Sequence, residues 1–147
     1  MTPIEPDERQ FAEVAAIAGG AADGPVVMLN LNRYRERAEY EGDPPGGESA
    51  DVSGHEAYMR YGVVASAVLE RVGGRILWHT HATRTVVGDE SDRYDEVIAV
   101  WYPSLAAFGA LATDPEIGSA RAHRVAGLER AALICCESGA EPVLAGP

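Results

Sequence analysis

Apolar and polar side chains alternate along VVMLNLN, so that Val27, Leu29 and Leu31 share one face and Met28, Asn30 and Asn32 the other. The period of two predicts a strand whose greasy face packs on the core and whose polar face stays bare until something pairs with it. After Ser53 the period lengthens, and Tyr58, Tyr61, Ala65, Val68, Leu69 and Val72 recur at three- and four-residue intervals as one helical stripe. Ser53 and Glu56 read as a capping box at its start, and Gly73-Gly74 as its left-handed stop. This stripe is expected to lie on the Val27, Leu29 and Leu31 face.

Two β-rich runs follow, RILWHTHATRTVVG and EVIAVWY, joined across DESDRYD as an antiparallel hairpin with a long loop. Pro103-Ser104 opens a helix through Leu111, Asp114-Pro115 restarts it to about Arg130, and ALICC reads as the last strand. A short helix over residues 7–18 precedes the whole set, and the acidic, Gly- and Pro-rich stretch 36–52 reads as a mobile surface loop of the kind that can act as a lid. The order strand, helix, strand, strand, helix, strand predicts an α+β, ferredoxin-like βαββαβ sandwich with an antiparallel sheet and a short extra N-terminal helix. A length of 147 residues suits one domain. The expected divisions are a helical leader over 1–24, the sandwich over 25–137 and a C-terminal tail over 138–147.

The net charge of −11 repels phosphate backbones and anionic headgroups, so neither nucleic acid nor a membrane surface is an expected partner. No run reaches about 18 consecutive apolar residues, and the acidic start MTPIEPDERQF lacks the form of a secretion signal. The two cysteines, Cys135 and Cys136, are adjacent on a strand, where a mutual disulfide would be strained, and they read as reduced. A soluble, cytoplasmic protein is expected.

The segments PVVMLNLNRY, SGHEAYMRYG, VGGRILW, EVIAVWYPSLAAF and DPEIGSARAHRVAGLERAALI are similar to successive signatures of the domain-of-unknown-function 1330 family, in the dimeric α+β barrel superfamily. The resemblance implies a homodimer in which two sheets meet face to face as a barrel, covering the face left bare in one chain. It also implies a range of chemistries, among them cofactor-free monooxygenation, lactone isomerisation, polyketide cyclisation and haem-dependent reactions. The chain differs from the family pattern in carrying Asn32 at an apolar position, and in its histidine pair His79 and His81.

His79 and His81, two apart on a strand, lie on one face about 7 Å apart. They can share a metal if His55, His123 or a carboxylate supplies a third ligand, or simply line a wet barrel by hydrogen bonding. Asn30 and Asn32 need polar partners wherever they are buried; they either polarise a substrate carbonyl or make structural hydrogen bonds. Arg33 and Arg35 can meet a carboxylate substrate or, as strand-end arginines more often do, a surface acid. Tyr58, Tyr61 and Trp101 are candidate pocket walls, with core packing as the ordinary alternative. His123 is a candidate acid or base, or a helix-surface partner of Asp114 or Glu116.

The leading expectation is a small-molecule-binding homodimer acting as a cofactor-free enzyme on a carbonyl-bearing substrate, of isomerase, cyclase or monooxygenase type. His79 or His81 would be the base, Asn30 and Asn32 the polarising donors, and neither metal nor cofactor is required. The alternatives are a non-catalytic metabolite-binding dimer and a metal- or haem-dependent enzyme built on the histidine pair.

Overall fold

The computed structural model describes residues 3–138; residues 139–147, most of the expected tail, lie outside the described residues. Helix α1 (Glu8–Ile17) is followed by strand β1 (Val26–Tyr34), helix α2 (Gly54–Arg71), strands β2 (Arg75–His81) and β3 (Glu96–Tyr102), helices α3 (Leu105–Ala112) and α4 (Pro115–Gly127), and strand β4 (Leu128–Glu137). The sheet order β2-β3-β1-β4, antiparallel at every pairing, is that of a ferredoxin-like sandwich.

Local signals fix the helix starts. The Ser53 hydroxyl accepts the Glu56 N–H at 3.0 Å, Ser104 accepts the Ala107 N–H at 3.0 Å, and Asp114 accepts the Glu116 N–H at 2.8 Å with Pro115 beside it. Reciprocal capping boxes fall instead on α1, between Asp7 and Gln10, and on the short helical turn at 90–92, between Asp89 and Asp92. Strand β4 begins at Leu128, earlier than its apolar run suggests, because Leu128 and Arg130 pair with Tyr34 and Arg33 across a bulge. Loop 36–52 is packed on α2 and α4. Ala38 N–H donates to Val52 O at 2.9 Å and Glu39 N–H to Ala126 O at 3.0 Å, while Arg60 holds Glu48 at 2.8 Å.

The register reverses the expected faces of β1. Cross-strand partners share a face, and Met28 pairs with Val100 while Asn32 pairs with Glu96. Met28 and Val100 belong to the core cluster with Val68, Leu69, Tyr102, Leu105, Leu111 and Ile117, so the helices lie on the Met28, Asn30 and Asn32 face. Leu29 and Leu31, paired with Ala99 and Val97, point to the opposite, uncovered side. On that side Trp78 and Ile134 are 50% and 48% exposed, leaving a broad apolar sheet face without a second layer.

Candidate functional site

At the end of β1, the sheet, the start of α2 and the end of α4 meet at two glycines. Arg35 N–H donates to Gly127 O at 2.8 Å, and Gly54 N–H donates to Arg35 O at 3.0 Å. A Cβ on Gly54 would fall 2.7 Å from both Arg35 N and Gly127 O, so only glycine permits the approach. This junction sets Tyr34 and Arg35 beside His55. Together with His81 and Asp95 they line a recess of about 290 Å³, near the lower end of the range for small-molecule sites.

Behind the recess lies a buried polar network. Glu96 is only 6% exposed and Asn32 only 2%, both under the helix layer. The Tyr34 hydroxyl donates to Glu96 Oε1, and the Asn32 amide donates to the Tyr34 oxygen at 3.4 Å. Burial pushes the Tyr34 hydroxyl far above the ordinary tyrosine range, and its bond to Glu96 adds to the rise, so Tyr34 remains a donor at any ordinary pH. The other carboxyl oxygen, Glu96 Oε2, stands 3.5 Å from Nδ1 of His79, whose side chain is 65% exposed. Tyr58 packs 5.3 Å from the Tyr34 ring and Tyr61 5.6 Å from Tyr58, and burial raises both hydroxyls, opposed at each by Arg124. His55 meets Tyr34 edge-on at 5.0 Å.

A carboxyl facing Nδ1 favours the proton on that nitrogen and leaves Nε2 as a lone-pair acceptor. His79 thus faces a buried acid that is itself anchored by a tyrosine. The arrangement suits proton transfer at the exposed His79, two residues along β2 from His81 in the recess wall.

The model of the family described as a domain of unknown function, DUF1330, matches residues 48–137. The chain belongs to this family. Among solved structures it is similar to RPA0582, a protein of unknown function from Rhodopseudomonas palustris, at 33% identity over 97% of this chain and 100% of that one, with a TM-score of 0.81. A structure of the methylated RPA0582 protein matches at 35% identity over 95% and 98% of the two chains, with a TM-score of 0.77. No curated protein matches. The DUF1330 match takes in His55, His79, His81 and Glu96, whereas Tyr34, at the end of β1, and Arg35, just after it, precede it.

Not all of the expected site residues converge. His79, His81, Asn32, Tyr58 and Tyr61 lie on the helix side with Glu96. Asn30 shares that face, but its amide is spent on Met28 O and Ile98 O, each at 3.3 Å, which satisfies it structurally. Arg33 is on the opposite face, where its Nε donates to Arg93 O at 2.7 Å and its Nη2 donates to Glu90 O, pinning the hairpin loop. Trp101 is also on that face, under the Arg75 guanidinium at 5.1 Å and bonded to Ser138 Oγ at 2.8 Å, so it walls no helix-side pocket. His123 is buried away from the recess and bonded through Nδ1 to the Tyr40 hydroxyl at 2.6 Å; Asp114 and Glu116, its expected partners, pair with Arg71. No three His, Cys, Asp or Glu side chains among the described residues are grouped to hold a metal ion.

Sequence reasoning missed Glu96 and Tyr34. From sequence, Asp95 and Glu96 begin a strand at the barrel mouth, with a solvated loop end as the ordinary alternative, yet Glu96 is in phase with Ile98, Val100 and Tyr102, all of which face the helices. That period of two is the signal by which it could have been found.

Proposed function

We propose that the protein is a homodimeric, cofactor-free enzyme that moves a proton on a carbonyl-bearing small molecule bound in the Tyr34 recess. The observation that carries this reading is the buried Glu96 carboxyl, held by the Tyr34 hydroxyl and facing His79 Nδ1 at 3.5 Å. In this mechanism His79 Nε2 removes a proton from the carbon next to the substrate carbonyl, the imidazolium is stabilised by Glu96, and the same nitrogen returns the proton to the opposite face of that carbon or, where a C=C bond is conjugated with the enolate, to the γ-carbon. Tyr34 keeps Glu96 in place without reacting. His81, in the recess wall, is the group available to donate toward the enolate oxygen.

The dimer is supported by the bare apolar sheet face. Leu29, Leu31, Val97, Trp78 and Ile134 stand on one side of the sheet with no layer over them. A second copy of the same face is the partner whose chemistry matches.

The test is hydrogen–deuterium exchange at carbon, followed by proton NMR in D2O, across a panel of ketones, keto acids and diketones with acidic α-hydrogens. The expected result is exchange of at least one compound well above the buffer rate, lost in His79→Ala and strongly reduced in Glu96→Gln. Saturable binding of the panel with no exchange above buffer favours a metabolite-binding protein. Exchange that survives His79→Ala refutes the assigned base.

A further inference from the structure

The guanidinium of Arg35 has an unusual set of partners. Its Nη1 is taken by Glu39 Oε2 at 3.1 Å, while Nε is buried and bonded to nothing. Buried donors are almost always paired, so this one is open to an acceptor beyond the protein's own groups. Nη2 also has no partner among the described residues. Nε and Nη2 form the edge of a guanidinium that meets both oxygens of a carboxylate at once.

We propose that this edge of Arg35 receives the carboxylate of a small organic acid in the Tyr34 recess, with the His55 and His81 imidazoles beside it. This rests on the recess being the substrate site, and it narrows the substrate to a carbonyl compound that also carries a carboxylate. The geometry of the wall agrees. Arg35, His55 and His81 line the recess, and the one acid in the wall, Asp95, is occupied by the Tyr34 N–H at 2.8 Å and faces Arg93 at 3.5 Å. The 18-residue helix α2 begins at Gly54 next to His55, so its positive end adds to the same potential. In a chain of net charge −11, a recess lined by one arginine, two histidines and a committed acid is a local exception.

The root of Arg35 is fixed by its backbone bonds to Gly127 and Gly54, and its side chain is 33% exposed. Nε is carried from its buried position to the ligand by turning the side chain about its Cβ–Cγ and Cγ–Cδ bonds, and this movement is part of the proposal. The carboxylate then supplies an acceptor that the protein's own groups do not.

The experiment is an NMR titration of the full chain, labelled at arginine and histidine, with benzoate and with its uncharged isostere benzamide. Benzoate is expected to shift the Arg35 Nε–H and the His55 and His81 ring signals saturably, and benzamide to bind at least about tenfold more weakly. Arg35→Met should weaken benzoate binding by about tenfold or more, and Arg35→Lys, which keeps the charge and loses the fork, by an intermediate factor. Circular dichroism establishes that each variant is folded, and Arg35→Lys carries the test if Arg35→Met is not. Equal affinity for benzoate and benzamide, no saturable shift with benzoate, or unchanged benzoate binding in a folded Arg35 variant overturns the proposal. Carboxylate binding at Arg35 with no proton exchange on any panel compound keeps this site and removes the catalytic reading. Exchange that depends on His79 but shows no preference for carboxylates does the reverse.

Discussion

Asn32 and Glu96 are directly opposed across β1 and β3, and both side chains are buried beneath α2. The pairing places an amide and a carboxyl where a core would ordinarily hold two aliphatic residues. It is tolerable because Tyr34 stands between them, donating to Glu96 and accepting from Asn32.

Replacing Tyr34 by Phe removes the hydroxyl and leaves one Glu96 oxygen buried without a donor. Stability should fall by about 1–3 kcal/mol in urea unfolding, more than the loss of one exposed hydrogen bond would cost. A change within a few tenths of a kcal/mol would show that Glu96 is not anchored there.

The glycines of α2 should respond in opposite directions. Gly54→Ala drives a methyl group into the Arg35 and Gly127 backbone and is expected to destabilise the fold by several kcal/mol, or to prevent folding. Gly62, in the same helix, has nothing within 4 Å of its added Cβ, and Gly62→Ala should stabilise by about 0.5–1 kcal/mol. Thermal melts of the two variants side by side separate close packing from helix propensity.

His123 is held below its ordinary pKa, first by burial and then by the Arg60 charge, with Glu48 opposing. The unfolded chain therefore binds this proton more readily than the folded one. The stabilising contribution is complete above the unfolded value of about 6.5 and is lost as pH falls from there toward the lower folded value. Urea midpoints should decline between neutral pH and mildly acidic pH, and the decline should be shallower in His123→Gln. That variant keeps a polar group facing Tyr40 and has nothing to titrate.

Placing a charge at the centre of the bare sheet face should dissolve the proposed dimer. Leu29 lies between Ala99 and Ile134, so Leu29→Asp puts a carboxylate in the middle of the apolar surface. Light scattering on a sizing column should give twice the chain mass for the parent protein and the single chain mass for Leu29→Asp. A monomeric parent protein would remove the barrel.

The order and type of the elements were legible because each is marked locally: alternation for β1, a 3.6-residue stripe and a serine cap for α2, an Asp-Pro start for α4. The orientation of the sheet was not. Val27, Leu29 and Leu31 are as apolar as a core face should be, and nothing within a single strand distinguishes a face that packs under helices from one that packs on another sheet. The same ambiguity misplaced Trp101 and Arg33, whose side follows from their register. His79 and His81 were legible as a pair sharing one face, but the acid that faces His79 was not, because Glu96 is buried only through its pairing with Asn32, 64 residues earlier in the chain. Arg35 and His55 come together through the Gly54 and Gly127 contact, which is equally non-local.

The most direct test is the tautomer of the His79 imidazole, read from nitrogen-15 correlations at a pH where the ring is neutral. The proton is expected on Nδ1, facing Glu96, with Nε2 bare and available as a base. A proton on Nε2 would mean that Glu96 does not orient the ring, and it would contradict the proposed proton transfer at its first step.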